Sequence, residues 1–122
     1  MSGRDGLGRW RNSSASLAVR KKFHVEITVS AERDVRAMRD FIARDKPRAA
    51  DTWARTIHRK IRSLKSMPQR HEVIPEAREL GVEYRHIISG NYRTIYRIEG
   101  ERVIVLRVLH AARLLDQSLL SG

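Results

Sequence analysis

Alternation of apolar and polar residues is densest between positions 82 and 110. Val82–Ser89, Tyr92–Glu99 and Arg102–Leu109 read as three consecutive strands. The links between them, Ser89-Gly90-Asn91 and Gly100-Glu101, are of the short glycine-containing kind that closes hairpins. On the middle strand Tyr92, Thr94, Tyr96 and Ile98 fall on one face, and Arg93, Ile95 and Arg97 on the other. Val103 to Leu106 are apolar on both sides, which predicts a central place in the sheet. An earlier run, Phe23–Val29, sets Phe23, Val25, Ile27 and Val29 against His24, Glu26 and Thr28, and predicts one more strand.

Between these runs the period changes to that of a helix. Ser30 is placed to cap a first helix, with Glu32 and Asp34 in its opening turn and an apolar stripe at Val35, Met38, Phe41 and Ile42. Asp45-Lys46-Pro47 ends it. A second helix is predicted from Pro47 to about Met67. Ala50, Trp53, Ala54, Ile57, Ile61 and Leu64 form its buried face, and Arg48, Arg55, Arg59, Lys60, Arg62 and Lys65 the opposite one. Two helices joined at a proline predict a helical hairpin packed on one face of the sheet. Pro68 and Pro75 bracket a loop, Glu76–Leu80 has the length of a short helix, and Leu114, Leu115 and Leu119 suit another after the sheet.

Charge changes the picture. The 122-residue chain carries 25 Lys and Arg against 14 Asp and Glu, a net +11, which favours acidic partners, whether nucleic acid or an acidic protein surface. Residues 1–22 hold six of the basic residues and one acid, lack apolar periodicity, and read as a disordered basic tail ahead of one domain over 23–122. That tail has no apolar core of a secretory signal, no run is long enough to span a membrane, and cysteine is absent; together these predict a cytoplasmic protein.

The sequence shows no metal-ligand spacing, no glycine-rich phosphate loop and no nucleophile elbow, so neither metal nor cofactor is expected. What remains is Arg, Tyr and His on a basic sheet, with Arg85, Arg93, Arg97, Arg102 and Arg107 set into the strands. Arginines gathered on one side of a sheet suit phosphate or carboxylate. Such a set can also cleave RNA without metal, a His moving protons and an Arg neutralising the phosphorane. Arg93, Tyr96 and His110 are the candidates, with Arg85 and Arg113 nearby. The same residues read equally as salt-bridged strand arginines, sheet-packing tyrosines and a hydrogen-bonded histidine.

Tyr84-Arg85-His86-Ile87, then Gly90-Asn91-Tyr92-Arg93-Thr94-Ile95-Tyr96, then Val105 to Arg113 occur in an order and spacing that resemble the RelE/ParE superfamily of type II toxins, over about residues 23–120. The resemblance implies an α+β fold: an N-terminal strand, a helical hairpin and a three-stranded antiparallel meander, forming one mostly antiparallel sheet with helices packed on it. It also implies a cognate acidic antitoxin held in a hetero-oligomer. RelE-like members cut mRNA on the ribosome, which would assign catalysis to Arg93, His110 and Arg113. The ending after His110 lacks the aromatic residue of that group and is more like ParE-like, plasmid-stabilisation members, which bind DNA gyrase. On that reading Arg85, Tyr92, Tyr96, Arg97, Arg59 and Arg62 are binding residues and no reaction is expected.

Overall fold

Thr28 turns the chain from strand to helix. Its hydroxyl accepts the Ala31 N–H at 3.1 Å and donates to the Leu106 carbonyl at 2.9 Å, so one side chain both caps the helix and ties it to the sheet. The computed structural model describes residues 22–120; the predicted tail lies outside them, apart from Lys22, which bridges to Ser66. The cap falls two residues before the expected Ser30, because Thr28 has the extended backbone an N-cap needs. Strand β1 therefore covers only His24–Ile27, and Val29 begins helix α1 (Val29–Ala43), where it is exposed.

On α1, Ala31 and Val35 are buried and Met38 and Ile42 half-buried. Phe41 leaves the predicted stripe. It stands about 120° around the helix from Val35 at ~100° per residue, is 63% exposed, and lies under the Arg44 guanidinium at 5.8 Å. Helix α2 (Pro47–Arg62) starts on Pro47 and runs into a single tighter turn, Ser63–Lys65, two residues short of the predicted Met67. Ala50, Ala54, Ile57, Ile61 and Leu64 are buried beneath it. This is the expected hairpin on one sheet face.

The sheet is ordered β1-β4-β3-β2, with β2 at Arg85–Ser89, β3 at Tyr92–Glu99 and β4 at Arg102–His110. β2–β3–β4 is the predicted antiparallel meander, and β1 joins parallel to β4, which makes β4 central. The first predicted run loses Val82–Tyr84, where the Tyr84 N–H folds back on the Val82 carbonyl at 2.9 Å. Gly90 and Gly100 take φ of 58° and 59°, the left-handed values that two-residue hairpin links require.

Ile95 faces Arg107 while Tyr96 faces Val105, so Leu106 is an extra residue on β4. This bulge reverses the strand's alternation. Val103, Val105 and Val108 consequently all pack toward the helices, with Phe23, Ile87 and Tyr96. The other face carries a second, smaller core of Ile74, Tyr84, Ile95, Leu109 and Leu115. It is covered by the loop with helix α3 (Ala77–Leu80) and by the C-terminal segment with helix α4 (Gln117–Leu120).

Candidate functional site

Every arginine set into the sheet is occupied by the protein itself. Arg93, 3% exposed, gives Nη1 to Glu76 Oε1 at 3.2 Å, Nη2 to Glu76 Oε2, and Nη2 also to the Arg113 carbonyl at 2.6 Å. Glu76 accepts the Leu115 N–H at 2.9 Å as well. The hydrogen-bonded Arg93 guanidinium, helped by that N–H, brings the Glu76 carboxyl down to about 2. His86 lies on the same face, its Nδ1 3.4 Å from Arg93 Nη1 and its Nε2 3.0 Å from Glu72 Oε1. The Arg93–Glu76 pair thus fastens the loop before β2 and the C-terminal segment to one side of the sheet.

The other strand arginines are similarly engaged. Arg97 pairs with Glu99 at 2.6 Å. Arg102 grips Glu26 through Nε at 2.8 Å and Nη2 at 2.9 Å, which lowers the Glu26 pKa and raises its own. Arg107 holds Asp34. Arg85 gives Nη1 to the carbonyls of His71 at 2.6 Å and Gln69 at 3.2 Å, with Glu83 at 3.5 Å. The expected one-sided arginine platform does not form. Arg85 is opposite Tyr96 in the register and so shares the helix-side face, whereas Arg93 is opposite Ile88 and Leu109 on the other.

The three candidate catalytic residues do not converge. Leu109 pairs with Arg93, so His110, the next residue, leaves β4 on the opposite face, edge-on to Tyr92 with ring centroids 5.7 Å apart. His110 is exposed, and its Nδ1 accepts the Ala112 N–H at 3.1 Å. Arg113 meets Arg93 only through its backbone carbonyl; its side chain is exposed. Tyr92 packs edge-on to Trp53 at 5.3 Å and donates to Met38 Sδ at 3.0 Å. Tyr96 is fully buried and donates to the Pro68 carbonyl at 2.5 Å, and burial pushes its pKa up to about 12.

Arg59 and Arg62 differ from all of these. They are exposed on the outer face of α2 and have no carboxylate partner among the described residues. Beside them a groove of about 300 Å³ runs between the end of β1, α1 and α2, floored by Val35, Ala54 and Ile61 and rimmed by Glu32, Arg36 and Arg39. No group of three or more His, Asp or Glu side chains among the described residues is placed to hold a metal ion. Sequence reading missed Glu76, Glu72, His86 and Asp34. Glu76 follows Pro75 at the head of a short helix, and no periodicity links it to a strand position 17 residues away.

The chain matches the family described as the ParE toxin of the type II toxin–antitoxin system parDE, over residues 25–115. Among solved structures it is similar to a chain of the chromosomal ParDE system from P. aeruginosa, with a TM-score of 0.60 and 15% identity over 74% of this chain and 97% of that one. It is also similar to a chain of the RelBE2 toxin–antitoxin complex from Mycobacterium tuberculosis, with a TM-score of 0.54 and 28% identity over 77% and 97%. No curated protein matches.

Proposed function

The chain belongs to the ParE toxin family of type II toxin–antitoxin systems, and from that premise we propose that it halts growth by binding an essential protein such as DNA gyrase and is neutralised by a cognate antitoxin. The observation that carries a binding mode over a cleaving one is the placement of Arg93 and His110. A general acid–base and a charge-stabilising arginine must reach one phosphodiester. Here they leave the sheet on opposite faces, and Arg93 is buried against Glu76. The similarity to a RelBE2 chain supports an antitoxin partner. The groove between β1, α1 and α2 suits an acidic amphipathic segment of that antitoxin, its floor apolar and two of its three charged rim residues cationic.

Induced expression of wild type and His110→Ala tests the target. Both are expected to arrest growth equally, to inhibit supercoiling by purified gyrase, and to leave mRNA without discrete cuts in primer extension. Loss of a proton-transfer group lowers a nuclease by about 100-fold or more. Codon-positioned cuts that disappear in His110→Ala would overturn the binding mode.

A further inference from the structure

We infer that the outer face of α2 is a docking surface for the phosphate backbone of a nucleic acid. Arg48, Arg55, Arg59 and Arg62 recur at intervals of seven, four and three, which confines them to a stripe about 60° wide at ~100° per residue. At ~1.5 Å rise per residue the stripe is about 21 Å long, the span of about six phosphates of one strand at ~3.4 Å each. All four side chains are exposed.

Neutralisation by the described residues does not explain the row. Asp51 is the lone acid of α2, and Arg39 takes it at 2.7 Å. The contrast with the sheet is sharp, since there each arginine has a carboxylate. Complementing the helix dipole accounts for Arg59 and Arg62 in the last turn. It does not account for Arg48, which stands in the first turn where a cation is unfavourable, nor for Arg55 mid-helix. Like charges three and four residues apart also weaken the helix by a few tenths of a kcal/mol per pair, a repulsion that a polyanion relieves. The apolar exposure of the protein separates this partner from a peptide. None of its large exposed hydrophobic residues lies on α2, so an amphipathic segment finds no anchor on this face, whereas phosphates need none.

The inference reassigns Arg59 and Arg62, expected from the sequence to bind the protein target, to a nucleic acid, and its test does not use growth arrest. Fluorescence anisotropy of the full chain with labelled 20-mer duplex DNA, single-stranded DNA and duplex RNA, from 50 to 200 mM salt, compares wild type with the triple variant Arg55→Gln/Arg59→Gln/Arg62→Gln. The charge-matched control is Arg33→Gln/Arg44→Gln/Arg78→Gln, on α1, the interhelical turn and α3, with thermal melts to confirm folding. The α2 variant is expected to lose at least tenfold in affinity at 150 mM salt and to shallow the log–log salt slope by about 2.7, from ~0.9 per phosphate contact. The control should change both far less. Equal losses in the two variants would reduce the effect to net charge and overturn the inference. So would failure of wild type to bind any of the three nucleic acids, or displacement of bound DNA by polyglutamate at the same charge concentration as by free duplex.

Discussion

Asp34 on α1 and Arg107 on β4 are joined twice, Nε to Oδ2 at 2.7 Å and Nη2 to Oδ1 at 2.8 Å, and Oδ2 also accepts the Val108 N–H at 2.9 Å. β1 pairs with β4 only as far as Val105. Beyond it the carboxylate of a helix supplies the acceptor that a longer strand would have given. The bond to Asp34 also raises the Arg107 pKa.

Removing one member leaves the other as a largely buried, unpaired charge, which is more damaging than removing both. Asp34→Ala is expected to cost about 3 kcal/mol, and the double variant Asp34→Ala/Arg107→Met clearly less than that single. Urea denaturation of the four-member cycle measures the coupling. A double variant as unstable as the sum of the singles would show that the two residues act independently.

Acid should release the C-terminal segment. The Glu76 carboxyl is held at about 2, below its ordinary 4.5, chiefly by Arg93. A depressed folded-state value stabilises at pH above 4.5, and that contribution disappears as pH falls from 4.5 toward 2. Its size is about 3 kcal/mol, at ~1.4 kcal/mol per unit. Glu76→Gln should lower stability at pH 7 and flatten the acid limb of the stability curve. Hydrogen exchange at the Leu115 amide should quicken in the same variant, since that N–H donates to Glu76. An acid limb unchanged from wild type would remove Glu76 from this role.

Period and turn chemistry made most of the frame legible in the sequence. The stripe from Ala50 to Leu64 marked α2, and the glycine links at Gly90 and Gly100 separated the meander strands. What stayed hidden depends on tertiary approach. Leu106 gives no local sign of being a bulge, yet it reverses which β4 side chains meet the helices. Arg93 and Arg59 look alike in a sequence, each an arginine two residues from an isoleucine in a periodic segment. The return of Glu76 from a loop makes Arg93 a buried ion pair, whereas Arg59 meets no carboxylate among the described residues. The arginines of the strands therefore draw the eye for anion binding, while the row on α2 is the one without carboxylate partners among the described residues.

The two tyrosines on the helix-side face of β3 should respond unequally to loss of a hydroxyl. Tyr96 donates to the Pro68 carbonyl within the core. Tyr96→Phe leaves that carbonyl without its partner, at a cost of about 1–2 kcal/mol. Tyr92 donates to the Met38 thioether, a weak acceptor, so Tyr92→Phe should fall within about 0.5 kcal/mol of wild type. Alkali provides a second readout. With the Tyr96 pKa raised from 10 to about 12 by burial, the folded state gains stability that is present below pH 10 and lost as pH climbs from 10 to 12. An absorbance titration should show a late tyrosine step near pH 12, and this step should vanish in Tyr96→Phe. A Tyr92→Phe variant that proved the less stable, or a late step that survived Tyr96→Phe, would place the sensitive hydroxyl on the wrong strand position and detach the Pro68 loop from the core.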